Sequence, residues 1–89
     1  MITIAEQIEC VDRELRIREK VYPRWVKSQK LTKVLAATEL DRMRAVLGSL
    51  IKLYLAESCR EFCPAWSRVM EIGLAHLGEE LDRIVEDAT

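Results

Sequence analysis

The sequence has few of the residues from which enzyme and metal sites are usually built. It contains one histidine and three cysteines in 89 residues. It has no glycine-rich phosphate loop, nucleophile elbow or metalloprotease motif. A catalytic histidine needs a partner to activate or to orient it, and His76 has no Ser or Cys partner at a recognisable spacing. We therefore expect a non-enzymatic protein without catalytic residues, in which His76 lies at or near the surface.

The cysteines form no complete metal-binding pattern. Cys59 and Cys63 are four residues apart, and two thiolates at this spacing could supply half of a zinc site, with His76 or Cys10 completing it. Zinc sites normally combine two ligand pairs at short spacings, and here a second pair is missing. We expect no metal and no other cofactor, and interpret both cysteines as small buried residues near a helix junction. Oxidation or an intermolecular disulfide is the alternative.

Long hydrophobic runs are also missing. The longest stretch without a charge, residues 45–51, is far too short to span a bilayer. The N-terminal segment has neither a basic start nor an apolar signal core, so we expect no export. An odd number of cysteines fits a reducing compartment. The sequence therefore predicts a cytoplasmic protein that does not interact with membranes.

Apolar residues instead recur at helical spacing in three segments, and no strand is predicted. The predicted helices are helix 1 at about residues 4–27, helix 2 at about 33–61 and helix 3 at about 64–86. Thr3 and Glu6 form a capping box before helix 1, and Pro23 is expected to kink it. We predict a single all-α domain over residues 1–89. Helices 1 and 2 form an antiparallel hairpin, joined by helix 3 as a three-helix bundle or a helix-swapped dimer.

Residues 34–55 form the most apolar part of the chain. From Val46 onwards the apolar positions spread around the helix, and Lys52 is the only charge before Glu57. A helix that is apolar on more than one side must be covered from more than one side. Helix 1 covers one side of helix 2. We expect helix 3 to cover another side, either folded back in the same chain or contributed by a second copy. The residues predicted to form a dimer or assembly surface are Leu50, Ile51, Leu53, Leu55, Met70, Leu74 and Leu77.

Charge is unevenly distributed along the chain, although the net charge is only −1. Residues 13–33 carry eight bases and two acids, whereas residues 71–89 carry six acids and one base. If helix 3 folds back, its acidic end is expected near the bases between Lys20 and Lys33. The bases that could otherwise contact an acidic partner or a nucleic acid are Arg13, Arg16, Lys20, Arg24, Lys27, Lys30 and Lys33.

Tyr22 and Trp25 lie within this basic segment. Aromatic rings interleaved with bases can stack on nucleobases. Both residues also continue the apolar seam of helix 1, so we predict that their rings close the end of the core. The leading hypothesis is a homodimeric protein–protein interaction module. The alternative is a small nucleic-acid-binding accessory or regulatory protein that uses the basic face of residues 13–33.

Part of the chain, from about residue 8 to residue 50, resembles a group of short, uncharacterised helical proteins encoded by bacteriophages and prophages of proteobacteria. The matching elements are Arg18, Val21-Tyr22-Pro23, Trp25-Val26, Lys30-Leu31-Thr32, Ala37, Glu39, Met43 and Ala45-Val46-Leu47. The chain departs from the group at Gln29, where such proteins often carry glycine. The resemblance implies a phage-derived origin and a location in the bacterial cytoplasm, and with them a host or phage protein as the partner. It implies no activity.

Overall fold

The structure, a computed structural model, describes residues 1–57 and 64–88, and of Ala88 only the backbone. Within these ranges the chain is all-helical, as predicted, and contains no strand. The helices are α1 at Ile4–Lys27, α2 at Lys33–Glu57, α3 at Trp66–Leu77 and α4 at Glu79–Ala88. In the described part of the chain, none of these helices combines the length and apolarity needed to cross a membrane.

Helix α1 begins at the predicted capping box. The Thr3 hydroxyl accepts a hydrogen bond from the Glu6 N–H at 3.1 Å, and the Glu6 carboxylate accepts one from the Thr3 N–H at 3.4 Å. Pro23 lies inside the helix, which remains α-helical to Lys27. The capping box therefore sets the first turn as the sequence indicates.

The turn between α1 and α2 is a Schellman motif. Lys30 N–H donates to the Trp25 carbonyl at 2.9 Å, and Gln29 N–H donates to the Val26 carbonyl at 3.1 Å. Gln29 has a φ of 63°, which is the left-handed conformation that this motif requires and that glycine adopts most easily.

The predicted third helix is two helices, which corrects the prediction of one helix at about 64–86. Gly78 separates them with φ 50° and ψ −121°, a conformation that residues with a Cβ rarely adopt. Because the chain reverses at this glycine, α4 runs back beside α3. Helix α2 ends at Glu57 in the described chain, and the predicted extension to about residue 61 lies outside the described residues.

Helices α3 and α4 pack on the α1–α2 hairpin of the same chain. Helix α2 contacts α1, α3 and α4, so the apolar middle of the chain is covered from more than one side. Gly73 of α3 permits this packing, because a Cβ there would lie 2.8 Å from Cδ1 of Leu81 and 3.3 Å from Cδ1 of Ile51. The four helices therefore share one core.

The acidic C-terminal segment does not reach the basic end of the hairpin, contrary to expectation. Its Asp87 carboxylate lies 3.9 Å from Nζ of Lys52. Ile84 lies 3.4 Å from the position of a Cβ on Gly48. The reversal at Gly78 is the cause, since it directs α4 toward the C-terminal end of α2.

The seven residues predicted as an assembly surface do not form one exposed surface in this chain. Ile51, Leu55 and Leu77 are buried in the core, Leu50 and Met70 are partly buried, and Leu53 and Leu74 are exposed. The physical reason is that α3 and α4 already cover one side of α2. The core cluster is Ile8, Leu15, Leu47, Ile51, Tyr54, Leu55, Val69, Ile72, Leu77 and Leu81.

Candidate functional site

A buried pair of ionisable side chains links α3 to α1. The Nε2 atom of His76 lies 2.7 Å from Oδ1 of Asp12, and each side chain is only 4% exposed. Because a carboxylate oxygen accepts, the Nε2 N–H donates in this contact. The prediction of a surface or boundary histidine agrees with the partial burial of the residue as a whole, but its ring is buried.

Two arginines complete the surroundings of Asp12. Arg16 donates from Nε to Oδ1 of Asp12 at 3.1 Å. Arg68 of α3 places Nη2 3.5 Å from Oδ2 of the same carboxylate. A buried carboxylate is costly unless it is paired, and here three cationic or hydrogen-bonding groups surround it.

The second ring nitrogen of His76 faces another carboxylate of α1. Nδ1 lies 3.5 Å from Oε1 of Glu19, is itself buried, and has no hydrogen-bond partner among the described residues. Glu19 also accepts from Nη2 of Arg44 at 3.3 Å. The ring of His76 is thus held between two carboxylates of α1, which fixes where the end of α3 lies along that helix.

The sequence held one signal for this cluster. Asp12 lies four residues after Ile8 and three before Leu15, and both of these residues are fully buried. An acid on the buried stripe of a helix needs a partner. The identity of that partner, 64 positions away, requires the tertiary structure. The chemistry of the cluster is that of an interhelical clamp, since the only histidine is enclosed by α1 carboxylates.

Within the described ranges there is no group of three or more His, Cys, Asp or Glu side chains placed to hold a metal ion. Cys10 is exposed and is a free thiol. The interpretation of Cys59 and Cys63 as small buried residues concerns positions outside the described residues.

The seven predicted contact bases separate into two groups. Arg13, Arg16 and Lys20 line a groove of about 380 Å³ between α1 and Arg68 of α3. Arg16 already forms an ion pair with Asp12. The remaining four, Arg24, Lys27, Lys30 and Lys33, lie at the turn of the hairpin and are exposed.

We define the hairpin end as residues 20–38, the part of α1 and α2 around their turn. These 19 residues contain five bases and no acid. Among the residues that the structure describes, none of the five bases forms an ion pair. The hairpin end is therefore a positive surface without neutralising carboxylates of its own.

The hairpin end extends beyond α3 and α4. The turn after α3 lies at the level of Glu19 and Arg44. His76, near the end of α3, contacts Glu19, and it lines one pocket together with Arg44, which pairs with Glu19. Helix α1 continues for eight residues past Glu19, which is about 12 Å at 1.5 Å per residue. The bases are thus carried on a projection of the domain.

Apolar residues are exposed among these bases. Val34 is 77% exposed, Leu35 46% and Trp25 44%. The Trp25 ring packs against Tyr22, with ring centroids 5.7 Å apart and an interplanar angle of 33°. Tyr22 is partly buried, but Trp25 is too exposed to close the core as predicted. Among the described helices, neither α3 nor α4 covers this end of the hairpin.

A second apolar surface lies on the hairpin. Ile2, Cys10 and Val11 of the N-terminal part line a groove of about 490 Å³ with Val46 and Leu50 of α2. Val46 is 49% exposed and the neighbouring Leu53 is 50% exposed. This groove is distinct from the side of α2 that α4 covers.

Comparison of the chain with protein-family models, with curated proteins and with solved structures found no match to any of the three.

Proposed function

We propose that the protein is a non-enzymatic protein-interaction module whose hairpin end binds an acidic, partly apolar surface of a partner protein. The observation that carries this proposal is the composition of the hairpin end, which has five exposed bases, no acid and three exposed apolar side chains. Its phage or prophage origin and its location in the bacterial cytoplasm are parts of the same proposal, and they depend on the resemblance of residues 8–50.

The charge of the hairpin end supports an anionic partner. Bases without carboxylates nearby attract an oppositely charged surface and accelerate its association. Elsewhere in the described chain, five of the eight bases form ion pairs with acids, namely Arg16, Arg42, Arg44, Lys52 and Arg68. Arg13, Arg18 and Arg83 form none with the described residues. Only part of the positive charge is thus left for an outside partner.

The exposed apolar residues favour a protein over a nucleic acid. Aliphatic side chains such as Val34 and Leu35 gain nothing from a phosphate backbone. They gain when an apolar side chain of a protein covers them. Interface centres are rich in tryptophan and arginine, and Trp25 and Arg24 are neighbours at this end. An amphipathic acidic helix could pair its carboxylates with the bases and cover the apolar residues with its apolar face.

Support for a non-enzymatic role comes from the surroundings of His76. Both of its ring nitrogens face carboxylates of α1 and its side chain is 4% exposed. A general base must reach the proton that it abstracts, and this ring is enclosed instead.

The proposal is tested by fluorescence anisotropy with three labelled probes. The first is a synthetic helix of glutamate, alanine and leucine with the leucines on one face, the second replaces its leucines by serine, and the third is a short DNA duplex. We expect the leucine-bearing peptide to bind most tightly. Tighter binding of the duplex, with a steep salt dependence, would establish the nucleic-acid alternative instead.

Matched variants locate the binding surface. Arg24→Glu is expected to weaken binding of the leucine-bearing peptide about tenfold, because it removes one base and introduces repulsion. Arg83→Glu makes the same change at an exposed position of α4, and should alter binding less than about twofold since exposed charges are screened over such distances. Equal effects of the two variants would reject the hairpin end as the binding surface.

A further inference from the structure

We infer that a second copy of this chain covers the exposed stripe of α2, forming an antiparallel dimer through helix α2 of each copy. The stripe consists of Arg42, Val46, Leu50, Leu53 and Glu57. This inference goes beyond the proposed function and does not rest on it, because the hairpin end lies outside the stripe.

The five residues share one face of α2. They are separated by four, four, three and four positions, and side chains at these spacings lie above one another on a helix. Val46 and Leu53 are 49% and 50% exposed. Gly48 and Lys52 lie on the other side, where Ile84 and Asp87 of α4 meet them. Leu50 is partly buried and packs at the edge of the core. In the part of the chain that the structure describes, the stripe is therefore open on the side of Arg42, Val46 and Leu53.

The order of charges along the stripe is complementary to its own reversed copy. In an antiparallel pair of helices, moving four residues toward the N-terminus of one helix corresponds to moving four residues toward the C-terminus of the other. A register that places Val46 against Leu53 of the second copy therefore places Arg42 against Glu57 of the second copy. Twofold symmetry repeats both contacts.

The resulting contact has an apolar centre and charged ends. Leu50 lies near the symmetry axis, between two Val46–Leu53 contacts, and an Arg42–Glu57 pair closes each end. The Arg42 side chain is 71% exposed and is held in the monomer only by a 3.0 Å surface pair with Glu39, so it is free to reorient at little cost. Ile2 and Val11 flank Val46 and Leu50 in the groove and add apolar surface beside the contact.

The antiparallel arrangement also leaves the two hairpin ends free. The stripe covers residues 42–57 of α2, whereas the hairpin end comprises residues 20–38. The two positive ends of the dimer then point in opposite directions. Their mutual repulsion is smallest in this orientation, which distinguishes it from a parallel pair.

Sedimentation equilibrium of the full chain tests the register. We expect the wild-type protein to approach twice the monomer mass at high micromolar concentration. Arg42→Glu or Glu57→Arg alone should weaken dimerisation about tenfold, since each disrupts two symmetric pairs. The two changes combined restore opposite charges in swapped positions, and should bring the dissociation constant back to within about threefold of wild type.

A second pair of variants tests the apolar centre. Leu53→Asp should abolish dimerisation, whereas Leu74→Asp, at a 65% exposed position of α3 outside the stripe, should leave it unchanged. Circular dichroism of each variant checks that the helices are intact. A wild-type protein that stays monomeric, a charge swap that stays as weak as the single reversals, or equal effects of the two aspartates would each overturn the inference.

Discussion

The imidazole of His76 and the carboxylate of Asp12 form a buried contact of 2.7 Å that joins α3 to α1. Both side chains are 4% exposed. The contact connects two helices that are distant in sequence, and it lies near the point where α3 ends and the chain reverses. It therefore sets the position of α3 and α4 on the hairpin.

The first prediction concerns this contact. Asp12→Ala and His76→Ala should each lower the free energy of unfolding by about 2–4 kcal/mol, because removing one member of a buried pair leaves the other without its partner. The double variant should be less destabilised than the sum, by at least about 1 kcal/mol. Urea denaturation of the four proteins measures the coupling. Arg13→Ala, at an exposed neighbouring position, is the control and should change the free energy of unfolding by less than about 0.5 kcal/mol. If the effects of Asp12→Ala and His76→Ala on this free energy simply add in the double variant, the clamp is contradicted.

The second prediction compares two helical glycines. Gly73→Ala should destabilise the protein by about 1 kcal/mol, because its Cβ would lie 2.8 Å from Leu81 and overpacking outweighs the gain in helix propensity. Gly48→Ala should stabilise it by about 0.5–1 kcal/mol, since its Cβ meets only Ile84 at 3.4 Å. Thermal unfolding of both variants gives the two signs. Stabilisation by both substitutions would show that α4 does not approach α3 as described.

The third prediction separates two residues that are two positions apart on α2. Ile51 is fully buried and Leu53 is 50% exposed. Ile51→Ala should lower the free energy of unfolding by about 3 kcal/mol because it leaves a cavity in the core. Leu53→Ala should lower it by less than about 0.5 kcal/mol at low protein concentration. Guanidinium denaturation measures both. A large effect of the Leu53 substitution at that concentration would place this side chain in the monomer core.

The fourth prediction concerns the turn of the hairpin. Gln29→Gly should raise the free energy of unfolding by about 0.5–1 kcal/mol, because φ 63° strains a residue with a Cβ but not glycine. Gln29→Ala retains the Cβ and is the matched control, with no comparable gain. Differential scanning calorimetry detects the shift. If alanine stabilises as much as glycine, the left-handed turn is not the cause.

Local rules accounted for the parts of the fold that depend on neighbouring residues. The all-α class follows from helical periodicity, and the capping box follows from Thr3 and Glu6. The break at Gly78 could not be predicted in the same way. A glycine is compatible with the interior of a helix and with its end, and the packing of Leu81 against Gly73 decides between them.

The candidate surfaces were predictable only in part. The basic segment was visible as a charge pattern, but its projection beyond α3 and α4 depends on where the chain reverses. Ile51 and Leu53 were equivalent as apolar residues of an apolar helix. Only the packing of the other helices on α2 distinguishes them, with Gly73 of α3 lying against Ile51. The partner of Asp12 required the same long-range information.

The most direct test of the account is a heteronuclear NMR titration of the isotope-labelled protein with the acidic, leucine-bearing peptide. The account predicts that shifted amide resonances concentrate in residues 20–38, and that Val34→Ser combined with Leu35→Ser reduces the affinity for this peptide but not for its serine counterpart. Amide shifts confined to α3 and α4, or an unchanged spectrum at low ionic strength, would contradict it.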